Sequence, residues 1–104
     1  MNRKDLKLAR TFKKKLHARL PDAEVTAYGS RARGDHHRYS DLDLFVLVNR
    51  YNRKIRGLVF DCAWQVGFDA GIHLSTTIYT RKEIAGVLKE DPLYLNVQRE
   101  GVPI

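Results

Sequence analysis

A Gly-Ser pair, separated by ten residues from two alternating aspartates, constrains this chain more than any other feature. Gly29 and Ser30 follow a short β-branched and aromatic stretch, and Asp41 and Asp43 lead into the apolar run 44–48. Because side chains alternate along a strand, we expect the two aspartates on one face, ~7 Å apart. The pattern predicts a sharp turn after one strand and a pair of carboxylates at the start of the next.

The carboxylates of Asp41 and Asp43 predict a metal site. Two like charges so close disfavour double ionisation unless a cation lies beside them. Magnesium is commonly held by one or two carboxylates, and water and phosphate oxygens complete its coordination. We therefore expect Asp41 and Asp43 to bind Mg²⁺ and to leave coordination positions for a nucleoside triphosphate.

The Gly-Ser turn predicts a phosphate contact beside this metal. Gly29 can adopt backbone angles closed to other residues, and Ser30 stands where a helix could begin. The Ser30 hydroxyl either caps that helix or turns to a phosphate, and a Gly-Ser pair taken alone is more often a capped turn. The predicted nucleotide-binding residues come from the turn and the polar loop after it: Gly29, Ser30, Arg31, Arg33 and Ser40.

At these residues the sequence resembles the DNA polymerase β-like nucleotidyltransferase superfamily, whose signature is a Gly-Ser turn followed by an Asp-x-Asp strand. It is most similar to the minimal members, the MNT proteins encoded beside HEPN-domain toxins. The resemblance covers nearly the whole chain, and its specific part runs from Gly29 to Asp43. It implies an α/β fold with a small mixed β-sheet flanked by helices, in one minimal nucleotidyltransferase domain over residues 1–104.

The resemblance also implies a reaction and a partner. Gly29 and Ser30 would hold the triphosphate of ATP, Asp41 and Asp43 would bind the divalent metal, and AMP would pass to an acceptor hydroxyl. In HEPN/MNT pairs the acceptor is a tyrosine of the toxin. The chain is therefore expected to act as an antitoxin in a hetero-oligomer with a HEPN-domain protein. A small molecule or an RNA end is the alternative acceptor.

One departure from the superfamily pattern bears on catalysis. A third carboxylate usually stands on a later strand, and in the matching segment, 71–79, His73 takes its place. A neutral imidazole can accept a proton near neutral pH, but it suits magnesium less well than an oxygen ligand. His73 is therefore either catalytic or an ordinary polar side chain, and Asp69 is a weaker substitute for the acid. The alternative function is a weak or inactive antitoxin that neutralises its partner by binding.

Much of the net charge of +7 lies on the first predicted helix. Leucine, alanine and phenylalanine recur there at helical spacing, and lysines and arginines occupy the opposite face. Such a face is solvated, attracts an acidic partner or binds nucleic acid. Because no aromatic side chains interleave with it, as a base-stacking surface requires, direct nucleic-acid binding is disfavoured.

Residues 51–70 predict a second long helix with two apolar sides. One stripe includes Val59, Cys62 and Val66, and the neighbouring stripe contains Phe60, Trp64 and Phe68. The second stripe either packs in the core or forms a partner-binding patch.

Cysteine content and hydropathy predict the compartment. The single cysteine, Cys62, cannot form an intrachain disulfide, which favours a reducing environment. No apolar segment approaches the ~20 residues that cross a bilayer. A cytoplasmic protein without a membrane association is therefore expected.

The other element signals complete an alternating helix and strand pattern. Strands are predicted at 24–29, 42–48 and 72–79, and alternate residues of the last, beginning at Ile72, are expected to face the core. Thr80 with Glu83 predicts a capping box. Asp91 and Pro92 predict the start of a last helix that ends near Gly101.

Overall fold

A computed structural model describes residues 1–104. Its helices are α1 (Arg3–His17), α2 (Gly29–Arg33), α3 (Arg53–Ala70), α4 (Arg81–Ala85) and α5 (Pro92–Glu100), and its strands are β1 (Glu24–Tyr28), β2 (Leu42–Val48), β3 (Leu74–Thr80) and β4 (Val102–Pro103). None of the helices combines the length and the apolar character needed to span a membrane.

The strands form one sheet in the order β3-β2-β1-β4. β1 runs antiparallel to β2 and β4, whereas β2 and β3 are parallel and are connected through α3. This confirms the predicted α/β class with a small mixed sheet flanked by helices. The parallel pairing matters for the site, because it brings the beginnings of β2 and β3 to the same end of the sheet.

One face of β2 builds the core. Leu42, Leu44, Val46 and Val48 are fully buried and pack with α1 and α3, which contribute apolar side chains such as Phe12 and Val59. Each such burial stabilises the fold by roughly 1.5–3 kcal/mol relative to exposure. The opposite face is only partly covered, by α5, where the Phe45 ring lies 6.0 Å from the Tyr94 ring.

The side chains that begin the helices are mostly those that the sequence predicts. The capping box of Thr80 and Glu83 is present at α4, and Asp91 accepts a hydrogen bond from the Tyr94 amide at the start of α5. Asn52 caps α3 in the same way. These oxygens satisfy amides that have no partner within the first helical turn.

Several boundaries differ from the prediction. β1 ends at Tyr28 because Gly29 already begins α2, and α3 begins at Arg53 rather than at residue 51 because Asn52 is its cap. β3 begins at Leu74 rather than at residue 72, because Leu74 is the first residue that pairs with β2, opposite Leu42. It is an edge strand, so only Leu74 of its predicted core face is buried.

Candidate active site

The Gly-Ser turn lies directly against the acidic strand. Gly29 has φ +77°, a left-handed backbone angle that other residues adopt only at a cost. A Cβ at this position would also collide with the Oδ2 atom of Asp43. Glycine is therefore required twice here, once for the turn and once for the approach of the carboxylate.

Burial and neighbouring charges shift the pKa of Asp43. It lies half-buried on β2, in register with Tyr28 of β1 and Ser75 of β3. Burial raises the pKa of its carboxyl, and the charge of Asp41 raises that pKa further, against opposing effects of Arg33 and His73. An ionised Asp43 therefore carries a free-energy cost that a bound cation would relieve.

Asp41 and His73 lie at the same end of the sheet. Asp41 precedes β2, His73 precedes β3, and the Leu42 amide donates to the His73 carbonyl at 3.0 Å. The His73 Nδ1 atom is 3.3 Å from the Asp41 Oδ2 atom. The structure thus places Asp41, Asp43 and His73 at the same end of the sheet. Asp69 is exposed on α3 and forms no side-chain hydrogen bond or ion pair with these residues.

The donor set bears on which metal the site could hold. No three His, Cys, Asp or Glu side chains are arranged to hold a metal ion. Two carboxylates, of which Asp41 is 49% exposed and Asp43 half-buried, fit Mg²⁺, which takes its other ligands from water and substrate phosphate. A closed cage of protein ligands, as a structural zinc site requires, is not present.

Arg31 differs from its predicted role in nucleotide binding. Its side chain is 6% exposed and its guanidinium donates to both carboxylate oxygens of Asp5, at 3.2 and 3.1 Å. It also donates to the backbone carbonyls of Ser40 and Arg38. Because its donors are used inside the protein, we reassign Arg31 from phosphate contact to internal structure.

Arg33 and Ser40 have different surroundings. Arg33 is 41% exposed and forms surface ion pairs with Asp35 and Glu100, which leave its charge accessible to a ligand. The Ser40 hydroxyl accepts a hydrogen bond from the His37 amide within the loop. The capping alternative for Ser30 is wrong, because no side chain caps α2. Nucleotide contact by Gly29, Ser30, Arg33 and Ser40 stays a prediction.

An exposed aromatic face lies beside this end of the sheet. Phe60, Trp64 and Phe68 of α3 are 61%, 57% and 71% exposed, and the Trp64 and Phe68 rings stack with centroids 4.9 Å apart. We call these three residues the aromatic face. They line a cavity of about 470 Å³ that ends at His73. Of the two alternatives for this stripe, core packing is wrong and an exposed patch is present.

Asp5 and Tyr28 take part in the site region without having been predicted. Asp5 stands on the same helical stripe as Ala9, Phe12 and Leu16, and a charge in an apolar stripe was the available signal. Tyr28 faces Asp43 across the sheet, and its hydroxyl lies 3.3 Å from the Thr77 hydroxyl. Its position was open to prediction only through strand pairing.

The sequence matches the family model of the nucleotidyltransferase domain over residues 9–96, which is most of the chain. The chain therefore belongs to the nucleotidyltransferase domain family, and the resemblance carried by Gly29 to Asp43 is confirmed. Nucleotidyl transfer is the general activity of this family. No protein with a curated description matches the sequence at a significant level.

Solved structures share the fold. A chain of a toxin-antitoxin crystallised with AMP-PNP superposes with a TM-score of 0.63 at 19% identity, over 91% of this chain and 70% of that chain. A Sulfolobus solfataricus protein described as a nucleotidyltransferase gives 0.63 at 22% identity, over 96% and 78%. A chain of the toxin-antitoxin MntA-HpeT, in a mutant with two aspartates changed to glutamate, gives 0.59 at 15% identity, over 99% and 71%.

Proposed function

We propose that this chain is a Mg²⁺-dependent nucleotidyltransferase that passes AMP from ATP to a hydroxyl of a partner protein. The partner in this proposal is a HEPN-domain toxin, the acceptor is a tyrosine, and the chain acts as its antitoxin. The observation that carries the proposal is the contact between the Asp43 carboxylate and Gly29, since it joins the turn and the acidic strand into one site.

Asp41 and Asp43 would hold the metal, and Gly29 and Ser30 would receive the terminal phosphates. The metal, when bound, would neutralise charge that develops on the phosphoryl oxygens. The α2 helix is too short to attract a phosphate by itself. The exposed guanidinium of Arg33 would add the positive charge that attracts the phosphates. Positioning and charge stabilisation of this kind dominate phosphoryl-type transfer.

The reaction makes one bond and breaks one. The acceptor oxygen attacks the α-phosphorus of ATP, the bond from that phosphorus to the bridging oxygen of the β-phosphate breaks, and pyrophosphate leaves. The acceptor proton goes to the neutral imidazole of His73, whose ring lies against Asp41 and is 72% exposed. The carboxylate of Asp41 would accept a hydrogen bond from the protonated ring, and its negative charge would stabilise the imidazolium that forms.

Two of the structural neighbours support a protein acceptor. One is a toxin-antitoxin that was crystallised with an ATP analogue, and the other is a toxin-antitoxin mutant altered at two aspartates two positions apart. The same spacing separates Asp41 and Asp43. These relatives supply the idea of a toxin partner, and the cavity beside His73 offers space for an acceptor segment.

The transfer can be tested by intact-mass measurement. The chain is mixed with ATP, Mg²⁺ and a HEPN-domain protein as candidate partner, and the partner is expected to gain the mass of AMP. Tandem mass spectrometry should then place the group on a tyrosine. Absence of any adduct with Mg²⁺, Mn²⁺ or Co²⁺ would defeat the proposal of transfer.

A second candidate function is neutralisation by binding alone. It is favoured by the aromatic face, which is too exposed for a core role, and by the absence of a third carboxylate beside Asp41 and Asp43. Large exposed apolar patches commonly mark interfaces. In this case the partner would be covered rather than modified.

Paired variants separate the two functions. Asp41→Asn with Asp43→Asn should abolish protection by a transferase but leave protection by a binding module intact. Trp64→Ala should weaken protection by a binding module, with Leu95→Ala, at an exposed apolar residue on α5, as the control. Protection that survives the double asparagine change would favour the second function.

A further inference from the structure

We propose that Arg31, held by Asp5, is a positioning residue that fixes the acidic strand against the Gly-Ser turn. The inference rests on the proposed function, because it concerns the same metal and nucleotide site. Arg31 follows Ser30 directly, and Asp5 lies 26 residues earlier in the first turn of α1. Their side chains are 6% and 1% exposed, so the pair is shielded from water.

One guanidinium joins three separate segments of the chain. Its Nη1 group donates to both oxygens of Asp5, at 3.2 and 3.1 Å. Its Nε atom donates to the Ser40 carbonyl at 2.7 Å, and its Nη2 group donates to the Arg38 carbonyl at 3.3 Å. Arg31 therefore connects α1, the turn that begins α2, and the loop that leads into β2.

The bond to Ser40 acts directly on Asp41. The Ser40 carbonyl and the Asp41 nitrogen belong to one planar peptide unit, so fixing that oxygen fixes the plane from which Asp41 departs. The other bonds of this loop, from the Ser40 amide to the His37 carbonyl and from the His37 amide to the Ser40 hydroxyl, are internal to it. Arg31 is what attaches these carbonyls to the rest of the fold.

The chemistry of the contact requires arginine. A guanidinium presents several donors in a rigid fork, whereas lysine presents one compact charge on a flexible stem. Lysine at position 31 would keep the charge near Asp5 but could not hold Asp5 and two carbonyls together. A variant that preserves the charge and removes the fork therefore isolates the positioning effect.

The test measures metal and nucleotide binding together with local order of the loop. Mn²⁺ and a non-hydrolysable ATP analogue are bound to the full chain, and electron paramagnetic resonance reports the bound Mn²⁺. Arg31→Lys is expected to weaken binding by about tenfold to a hundredfold, the range typical for loss of a residue that orients a metal ligand. Amide exchange at Ser40 is expected to become faster. The control is Val66→Ala, which destabilises the buried core of α3 away from the loop.

The outcomes separate this inference from the proposed function. If wild type binds and a folded Arg31→Lys binds equally well with unchanged exchange at Ser40, the inference fails alone. If Arg31→Lys does not fold, Asp5→Asn replaces it, since it keeps Arg31 but removes the carboxylate charge that holds the guanidinium against the loop; a several-fold loss of affinity is expected, and unchanged affinity overturns the inference. If wild type binds no Mn²⁺ and nucleotide, the proposed function fails and the inference falls with it.

Discussion

The two faces of β2 differ more than any other two regions of this molecule. One face is fully buried, with Leu42, Leu44, Val46 and Val48 under α1 and α3. The other begins with Asp43, whose carboxyl ionises against both its burial and the charge of Asp41. The first face stabilises the fold, whereas on the second face the buried Phe45 does so and the charge of Asp43 opposes it until a cation binds. Alternation along one strand thus sets the acidic side chains apart from the fully apolar face.

The sharpest way to separate the faces is Asp43→Asn. Loss of a metal-holding carboxylate should lower transfer about a thousandfold or more, because the metal supplies several kcal/mol of charge stabilisation and each 1.36 kcal/mol is tenfold. In metal-free buffer the same variant should melt a few degrees higher than wild type, since a desolvated charge has been removed. Activity assays and thermal denaturation measure the two effects.

The control for this variant is Asp61→Asn, on the exposed side of α3, which should change neither activity nor melting temperature appreciably. A lower melting temperature for Asp43→Asn would contradict the assignment of an electrostatic cost to this face.

Leu44→Ala should have the opposite signature. Leu44 is fully buried, and truncation of such a leucine destabilises a domain by about 2–5 kcal/mol. Transfer per folded molecule should persist, because Leu44 faces away from Asp43. Urea denaturation measures the loss, and Val87→Ala, at a side chain 89% exposed, should stay within about 0.5 kcal/mol of wild type. Equal losses of unfolding free energy in the two variants would contradict the claim that the Leu44 face of β2 stabilises the fold.

The bounds of β2 and the placement of its aspartates on one face could be predicted from the sequence. β2 has the predicted bounds, since its apolar run is buried and its aspartates alternate with leucines. The turn at Gly29 also follows from local pattern. The physical cause of both features lies within one strand or one turn, whereas the nearness of His73 to Asp41 depends on the parallel pairing of β2 with β3.

Other features depend on partners that are distant along the chain. The destination of Arg31 is set by Asp5, which only the packing of α1 brings to it, so its charge alone suggested a phosphate. The exposure of Trp64 depends on which side of α3 meets the sheet. A helix with two apolar sides does not reveal that choice by periodicity.

Gly29→Ala tests how the turn and the acidic face fit together. A left-handed angle costs a residue other than glycine about 1–2 kcal/mol, and the added Cβ would also displace the Asp43 carboxylate. Nucleotide affinity should therefore fall about tenfold or more, in the range that misplaced groups produce. Gly71→Ala is the matched control: its φ is +70° but nothing lies within 4 Å of the added atom. Equal affinity losses would show that backbone strain, not the carboxylate contact, is responsible.

The pH dependence of stability should carry the sign of Asp43. Because its pKa is raised in the folded state, metal-free stability falls as pH rises from the unfolded pKa through the folded one. Metal and nucleotide binding, which needs the ionised carboxyl, should weaken over the same window as pH falls. The difference in unfolding free energy between wild type and Asp43→Asn, measured against pH, isolates this contribution. A difference that does not vary with pH would contradict the raised pKa.

The smallest effect is expected from His73→Asp, which restores the third acid beside Asp41. An oxygen ligand suits Mg²⁺ better than imidazole does, so Mg²⁺ affinity should rise several-fold. Asp69→Asn should leave affinity unchanged, because Asp69 is exposed on α3 and forms no ion pair or hydrogen bond with Asp41 or His73. Titration of both variants with Mg²⁺ measures this, and an unchanged or lower affinity in His73→Asp would remove His73 from the metal site.

The central claim is that the turn at Gly29 and the carboxylates of Asp41 and Asp43 form one metal and nucleotide site. Calorimetric titration with Mg²⁺ and a non-hydrolysable ATP analogue tests it most directly, with the Asp41→Asn and Asp43→Asn double variant beside wild type. Wild type is predicted to bind the nucleotide only when Mg²⁺ is present, and the folded double variant is predicted not to bind. No binding by wild type, or equal binding by both proteins, would contradict the claim.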